Sequence, residues 1–288
     1  MAARTFDPIA VALREDIGPG DITSKIFVSA HTRAAGQIVA REPAVIAGTK
    51  TAAEVFRRVD PGIKIRIVRH DGSAVVRGQA IIELRGSARA ILSAERVALN
   101  FLQHLSGIAT LTRKFVKASG KRRVQILDTR KTTPGLRVLE KAAVVAGGGA
   151  NHRFGLFDMV LVKDNHLAAG PGLSGIARAI RRVRRRNSGV RVEVEADRLH
   201  QVRILLEMGV ADVILLDNMT TTEMRKAVAL RDEMGGRVRR IKFEASGGIT
   251  LKNVRQVAAT GVDYISVGAL THSAPAVNLS LDISNVVS

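Results

Sequence analysis

Arg130 and Lys131 stand side by side in DTRKTTPGLR, residues 128–137, at the end of an apolar run over 124–127 broken by Gln125. Pro134 and Gly135 then break the chain. A strand behind two cations and a rigid turn ahead of them aim charge; a solvated loop needs neither. Lys163-Asp164 closes the next apolar run, and His152 and Arg153 lie just before that run. Arg grips carboxylates and phosphates through paired hydrogen bonds, whereas Lys acts as a mobile point charge. Later runs end in Glu195, in Asp217-Asn218, in Glu244 with Ser246-Gly247-Gly248, and in Gly268. Glu193 and Glu195 share a face by period-two alternation, with Glu195 nearer the strand end. Glu195 and Asp217 are hard oxygen donors: they suit Mg²⁺ held mainly through a substrate's phosphates, or else they pair with the nearby cations. Glycines at 247, 248 and 268 let backbone approach a ligand closely, and N–H groups there can hold a phosphate.

These residues need a frame. From residue 124 on, six apolar runs alternate with amphipathic helical patterns, which predicts parallel strands with crossover helices. A barrel or an open doubly wound sheet satisfies that rhythm, and in both the site forms at the C-terminal strand ends. The earlier sequence is mixed. Residues 34–48 and 63–86 read as short strands, with His70-Asp71-Gly72 as a hairpin turn. Residues 88–120 read as a helix that Gly107 breaks or bends. Asp21 reads as a cap or turn residue, and Gly147–Gly149 as a helix C-cap with a turn.

The 288-residue chain carries 45 Lys+Arg against 26 Asp+Glu, a formal charge of +19 that favours anionic partners. Aromatics make up only 3%, which is poor material for stacking nucleic-acid bases, so no nucleic-acid partner is expected. The run Arg181–Arg186 reads as the solvated face of a helix whose apolar side is Ile176, Ile180 and Val183. There is no cysteine, which excludes disulfides and thiolate chemistry and fits a cytoplasmic protein. No apolar run has the length of a membrane span, and the N-terminus lacks a signal-peptide core, so no membrane partner is expected. No Walker loop, dinucleotide fingerprint, zinc motif or nucleophile elbow is present. What remains is a cationic pocket with phosphate-friendly loops. It suits a substrate carrying carboxylates and phosphates, with chemistry done by positioning and charge stabilisation.

DTRKTTPGLRVLEKAAVVAGGGANHRFGLFDMVLVKDNH resembles the core signature of the quinolinate phosphoribosyltransferases. VEVEA, VILLDN, EASGGI and GVDYISVGALTHS match later family motifs in order, and EDIGPGDIT and ERVALNFLQHLSGIAT match its N-terminal part. The resemblance implies an N-terminal α/β sandwich domain over residues 1–111, with the tail 272–288 packing on it, and an incomplete α/β barrel over 112–271. It implies phosphoribosyl transfer from phosphoribosyl pyrophosphate (PRPP) to quinolinate with loss of CO₂, a need for Mg²⁺, and a homodimer or assembly of dimers. In that likeness Arg130, His152, Arg153 and Lys163 surround the quinolinate carboxylates, and Arg96 is lent by the neighbouring chain. Lys131 and Lys163 meet PRPP, with Glu195 and Asp217 towards ribose and metal. Ser246, Gly247, Gly248 and Gly268 line the 5′-phosphate region, and Thr129 and His272 complete the substrate contacts.

Overall fold

The computed structural model describes residues 6–120, 124–170 and 172–287. The chain folds as two compact units. The first takes the residues up to Arg113, the segment Thr132–Gly148 and everything from Leu270; the second takes Lys114–Lys131 and Gly149–Ala269. Thr132–Gly148 therefore groups with the first unit, a departure from the single uninterrupted barrel domain expected from residue 112.

The first unit is built on a four-stranded antiparallel sheet, ordered Leu279–Val287, Arg33–Ala40, Ala80–Ser87 and Lys64–Ile67. The C-terminal strand is thus an edge of the N-terminal sheet, with Ile38 opposite Leu281 on one side and Ile82 on the other. Helix Thr49–Val59 buries Ala52, Ala53, Val55 and Phe56, and of these Ala52, Val55 and Phe56 join Ile38, Ile82, Leu84, Ile91 and Leu102 in one core. Asp21 caps helix Ile22–Phe27 by accepting the Ser24 N–H at 2.9 Å.

Two expectations change here. Helix Ala88–Ala118 runs unbroken through Gly107. Glycine is needed there for space: a Cβ would collide with the carbonyl oxygen of Pro275. His70-Asp71-Gly72 does make a turn, with Ser73 N–H donating to His70 O at 3.0 Å, but the flanking strands do not pair with each other. Lys64–Ile67 pairs with Ala80–Ser87, and Ala74–Val75 with Ala44–Val45. The Asp71 carboxylate instead accepts the Gly48 and Thr49 N–H groups at 3.0 and 2.9 Å, fixing the start of a helix.

The second unit is an incomplete α/β barrel. Its six parallel strands run in the order Gln125–Leu127, Tyr264–Ser266, Lys242–Ser246, Val213–Asp217, Val192–Ala196 and Val160–Val162. The first and last of these are edges; beside Leu127 a single bridge to Ala150 continues the sheet. Val192, Val194, Ile214, Leu216, Phe243 and Ala245 are fully buried on one face of the strands. The alternating positions carry Glu193, Glu195, Asp217, Glu244 and Ser246 on the other. Polar staples fix the N-terminal strand ends: Asp212 accepts Val192 N–H at 2.8 Å, and Asp263 accepts Phe243 N–H at 2.9 Å. Helix Gly172–Arg186 buries Ile176 and Ile180, and Arg181, Arg182, Arg185 and Arg186 are exposed.

One buried carboxylate ties the first unit's helices together. Glu140, with no side-chain exposure, meets His104 Nε2 at 2.8 Å and accepts the Thr133 N–H at 3.1 Å. Burial raises its pKa, but the bonds from His104 and Thr133 outweigh that and hold it below the ordinary glutamate value. A depressed acid stabilises the fold above its unfolded pKa and loses that contribution as pH falls through the folded value. His104→Leu is therefore expected to destabilise by about 1–3 kcal/mol at neutral pH, and urea titrations should show the gap to wild type closing in acid. Gly107→Ala should also destabilise, by about 1–3 kcal/mol, although alanine is the better helix former; a neutral or stabilising result in the same titration would contradict the packing argument.

Candidate functional site

The C-terminal ends of the parallel strands carry the chemistry. At the end of Gln125–Leu127 sits Asp128, fully buried, whose carboxylate accepts the His152 N–H at 2.9 Å while its own N–H donates to Ala150 O at 3.2 Å. This sews the segment 150–153 to the first strand. Next along the chain, Thr129 Oγ1 accepts the Lys131 N–H at 3.1 Å, which curls the loop that displays Arg130.

His152 is the best-determined group. Its Nδ1 accepts the Arg153 N–H at 2.7 Å. A backbone N–H can only donate, so the ring proton must sit on Nε2, and the imidazole is neutral. That Nε2–H meets Glu193 Oε2 at 3.0 Å and Glu244 Oε2 at 3.5 Å. Both glutamates are almost completely buried. Each has one carboxylate oxygen without a protein partner among the described residues, and both line a cavity of about 100 Å³ inside the barrel with Leu127, Val213 and Tyr264. The Glu244 carboxyl is pushed up to about 8, first by burial and then by the charge of Glu193. His152, Glu193 and Glu244 have the mutual spacing of metal ligands. The protonated Nε2 argues against that use, since the lone pair a metal needs is not there.

Arg153 lies just above this group. Burial lowers its pKa first and the neighbouring Arg130 charge lowers it further, against the pull of Glu193 and Asp158. Two guanidinium groups thus repel each other in a part-buried place. An anion placed beside the two guanidinium groups would relieve that repulsion.

The other half of the rim is acidic. Lys163 Nζ meets Glu195 Oε2 at 3.0 Å. The Asp217 carboxyl is raised by burial first and by the Glu195 charge next, with Asn218 and Lys163 pulling the other way. Asp217 pairs in register with Ser246, and Asn218, at φ 53°, donates its N–H to Ser246 O at 2.9 Å. A Cβ on Gly247, whose φ is 93°, would collide with Asn218 Oδ1, whereas one on Gly248 would meet open space. Asn253 closes the loop, donating to Gly248 O at 2.9 Å and accepting the Thr250 N–H at 2.8 Å.

The contacts and registers thus gather Arg130, His152 and Arg153 into one group, and Lys163, Glu195, Asp217, Ser246 and Gly247 into another. Glu193 and Glu195, on one face of one strand, join the two. Gly268 follows the strand Tyr264–Ser266. Arg96, on helix Ala88–Ala118, and His272, bonded to Ser273 Oγ at 2.6 Å, belong to the first unit. Sequence reasoning assigned no role to Asp128 and saw Glu244 only as a strand end. Asp128 did leave a signal, an acid directly after an apolar run and ahead of two cations.

Known proteins resemble the whole chain. Residues 21–106 match the family model "Quinolinate phosphoribosyl transferase, N-terminal domain", and residues 108–282 match its C-terminal counterpart. A nicotinate-nucleotide pyrophosphorylase (carboxylating) of Mycobacterium leprae is 42% identical over 280 residues, covering 96% of each chain. The crystal structure of NadC from Streptococcus pyogenes matches with TM-score 0.87 at 36% identity, over 97% of this chain and 95% of that one. A nicotinate-nucleotide pyrophosphorylase from Ehrlichia chaffeensis matches with TM-score 0.87 at 39% identity, over 99% and 100%.

The two loop glycines make an internal comparison. Gly247→Ala should destabilise the chain by about 1–3 kcal/mol, because strain and collision coincide there. Gly248→Ala should lose only the left-handed backbone term, roughly 1 kcal/mol. Denaturant unfolding of the two variants checks the order.

Proposed function

The chain belongs to the quinolinate phosphoribosyltransferase family, and on that premise we propose how its barrel residues divide the work. The reaction transfers phosphoribosyl from PRPP to quinolinate and releases pyrophosphate and CO₂, giving nicotinate mononucleotide for NAD biosynthesis. The observation that carries the assignment is the Arg130–Arg153 pair, two cations held against each other beside a buried carboxyl group. A pyridine dicarboxylate supplies the two negative charges this end of the site lacks. Lys163 completes the cationic wall, and His152 holds Arg153 through its backbone.

The acidic end receives the sugar. As the bond from the ribose anomeric carbon to pyrophosphate breaks, its electron pair leaves with pyrophosphate and the carbon gains oxocarbenium character. Glu195 and Asp217 favour that developing positive charge, and Lys131 and Lys163 meet the phosphates. The pyridine nitrogen lone pair then forms the new bond. In the resulting pyridinium the ring draws electrons, so the bond to the adjacent carboxylate breaks, CO₂ departs and the ring carbon takes a proton. Gly247, Gly248, Ser246 and Gly268 serve the 5′-phosphate, and Thr129 borders the substrates.

Asp217 is raised by burial first and by the Glu195 charge next, with Lys163 pulling the other way, and the two carboxylates lie together at the strand ends. That donor set fits Mg²⁺, with Glu195 and Asp217 as its protein ligands, directly or through water or substrate phosphates. When bound, the ion supplies neutralising charge for pyrophosphate. Arg96 has a side chain 60% exposed, with Glu95 at 3.9 Å, which supports its donation to a second copy in a homodimer. Among the described residues no helix is long and apolar enough to cross a membrane. The cytoplasm is the compartment this reading assigns.

The test is incubation with quinolinate, PRPP and Mg²⁺, following nicotinate mononucleotide and CO₂, with nicotinic acid as the mono-carboxylate control. Turnover is expected with quinolinate, to be lost on chelation. Arg153→Ala should lose about 2–5 kcal/mol of transition-state stabilisation, read from kcat/KM. Normal quinolinate turnover by that variant would overturn the assignment.

A further inference from the structure

Lys163 opens the run Lys163-Asp164-Asn165-His166, and of these four residues only the lysine has a part in the reaction as written. It stands just past the strand Val160–Val162, an edge of the parallel sheet, and just ahead of the short helix Asp164–Ala169. Among the described residues no strand pairs beyond that edge, so the turn that follows has to fix the lysine's backbone. The Lys163 carbonyl oxygen accepts the His166 and Leu167 N–H groups at 2.9 and 3.1 Å. The Lys163 N–H donates to Nδ1 of the His166 ring at 2.9 Å. A backbone N–H can only donate, so Nδ1 is bare and the proton of the neutral ring lies on Nε2. At the far end of the side chain, Nζ meets Glu195 Oε2 at 3.0 Å. Lys163 is thus held twice, by a ring at its base and by a carboxylate at its head.

We propose that His166 is a positioning residue for phosphoribosyl transfer: through Nδ1 it fixes the backbone of Lys163, and so the point from which that lysine reaches both substrates. A lysine stem is long and flexible, so Nζ is placed only as well as its base is. A misplacement of about 1 Å is enough to cost roughly a hundredfold in rate. The same device serves the other cation of the wall, since His152 Nδ1 accepts the Arg153 N–H at 2.7 Å. His166 is the third residue of its helix, the position from which a Glu or Gln side chain reaches back to the N–H ahead of a helix. An imidazole suits this place for a physical reason. The Asp164 charge already bears on Asp217, and a glutamate at 166 would add another negative charge to that end, whereas a neutral ring takes the N–H without adding any. His166 is exposed, and the helix Asp164–Ala169 buries none of its residues. The ring therefore supports no core, and its bond to Lys163 is the interaction that a substitution removes.

The role of His166 rests on the proposed function, and its test separates the two. In the ligand-free full-length protein, amide hydrogen exchange over residues 160–167 should be slower at Lys163 in wild type and in His166→Gln than in His166→Leu. That result stands or falls without any assay of activity. In kinetics, His166→Leu should lower kcat/KM roughly tenfold or more for quinolinate and for PRPP alike, because Lys163 meets both, while the unfolding midpoint stays near that of wild type. His166→Gln keeps an uncharged acceptor within reach of the Lys163 N–H and should recover most of the loss. Four results would each overturn the proposal. They are normal kcat/KM in a folded His166→Leu enzyme, exchange at Lys163 as fast in wild type as in that variant, a kinetic loss matched by a fall in the unfolding midpoint, and a Gln variant as impaired as the Leu variant. The last would mean that the ring itself touches a substrate. If the exchange pattern holds but the wild type does not turn over quinolinate, the hold on Lys163 stands and the functional reading falls.

Discussion

A parallel strand inside a barrel has only two faces, and this constraint governs the second unit. One face must be apolar, and it is: Val192, Val194, Ile214, Leu216, Phe243 and Ala245 are all fully buried. The polar side chains at positions 193, 195, 217, 244 and 246 are therefore sent to the lumen. The lumen is narrow and poorly solvated. Charge that collects there must be compensated by other lumen groups or by ligands. Lys163 meets Glu195, Glu244 and Glu193 crowd one neutral histidine, and Arg130 with Arg153 keeps an excess of positive charge.

The result is a site with opposite imbalance at its two ends. Arg153 is disfavoured by Arg130 and by burial, while Asp217 is disfavoured by Glu195 and by burial. Neither arrangement favours folding of the bare chain. On the proposed reading, each is what a ligand of complementary charge corrects. Strain of this kind persists only where the surroundings over-determine the geometry. Here those surroundings are the polar staples at the strands' N-terminal ends, Asp212 and Asp263, and the apolar layer behind the strands.

The polar strand ends were legible because a charged residue closing an apolar run is a local signal, visible within a few positions at Arg130, Lys163, Glu195 and Asp217. The parallel α/β rhythm was legible for the same reason, being a periodicity. What escaped was long-range. Glu193 finds His152 across 41 positions, and Asp71 reaches Thr49 across 22 to start a helix, where local reading saw only a hairpin turn. Gly107 misled because glycine inside a helical pattern usually signals flexibility; its role is set by Pro275, far along the chain. The grouping of Thr132–Gly148 with the first unit was hidden likewise, since the anchor is His104 on Glu140, a pairing that no spacing rule announces.

The rim combines rigid and adaptable parts, and the division follows from which atoms are held. Backbone groups are fixed by short bonds: the His152 amide by Asp128, the Arg153 amide by His152 and the Asn218 amide by Ser246, with the 248–253 loop held by Asn253. These determine where the Arg153 stem, Asp217 and the glycine loop can lie, and ordering them is complete once the chain has folded. The long cations Arg130, Lys131 and Lys163 are exposed and reach the site on flexible stems, each losing up to about 2 kcal/mol of side-chain entropy when ordered. On the proposed reading, precision lies in the backbone-held groups and adaptability in the long exposed cations.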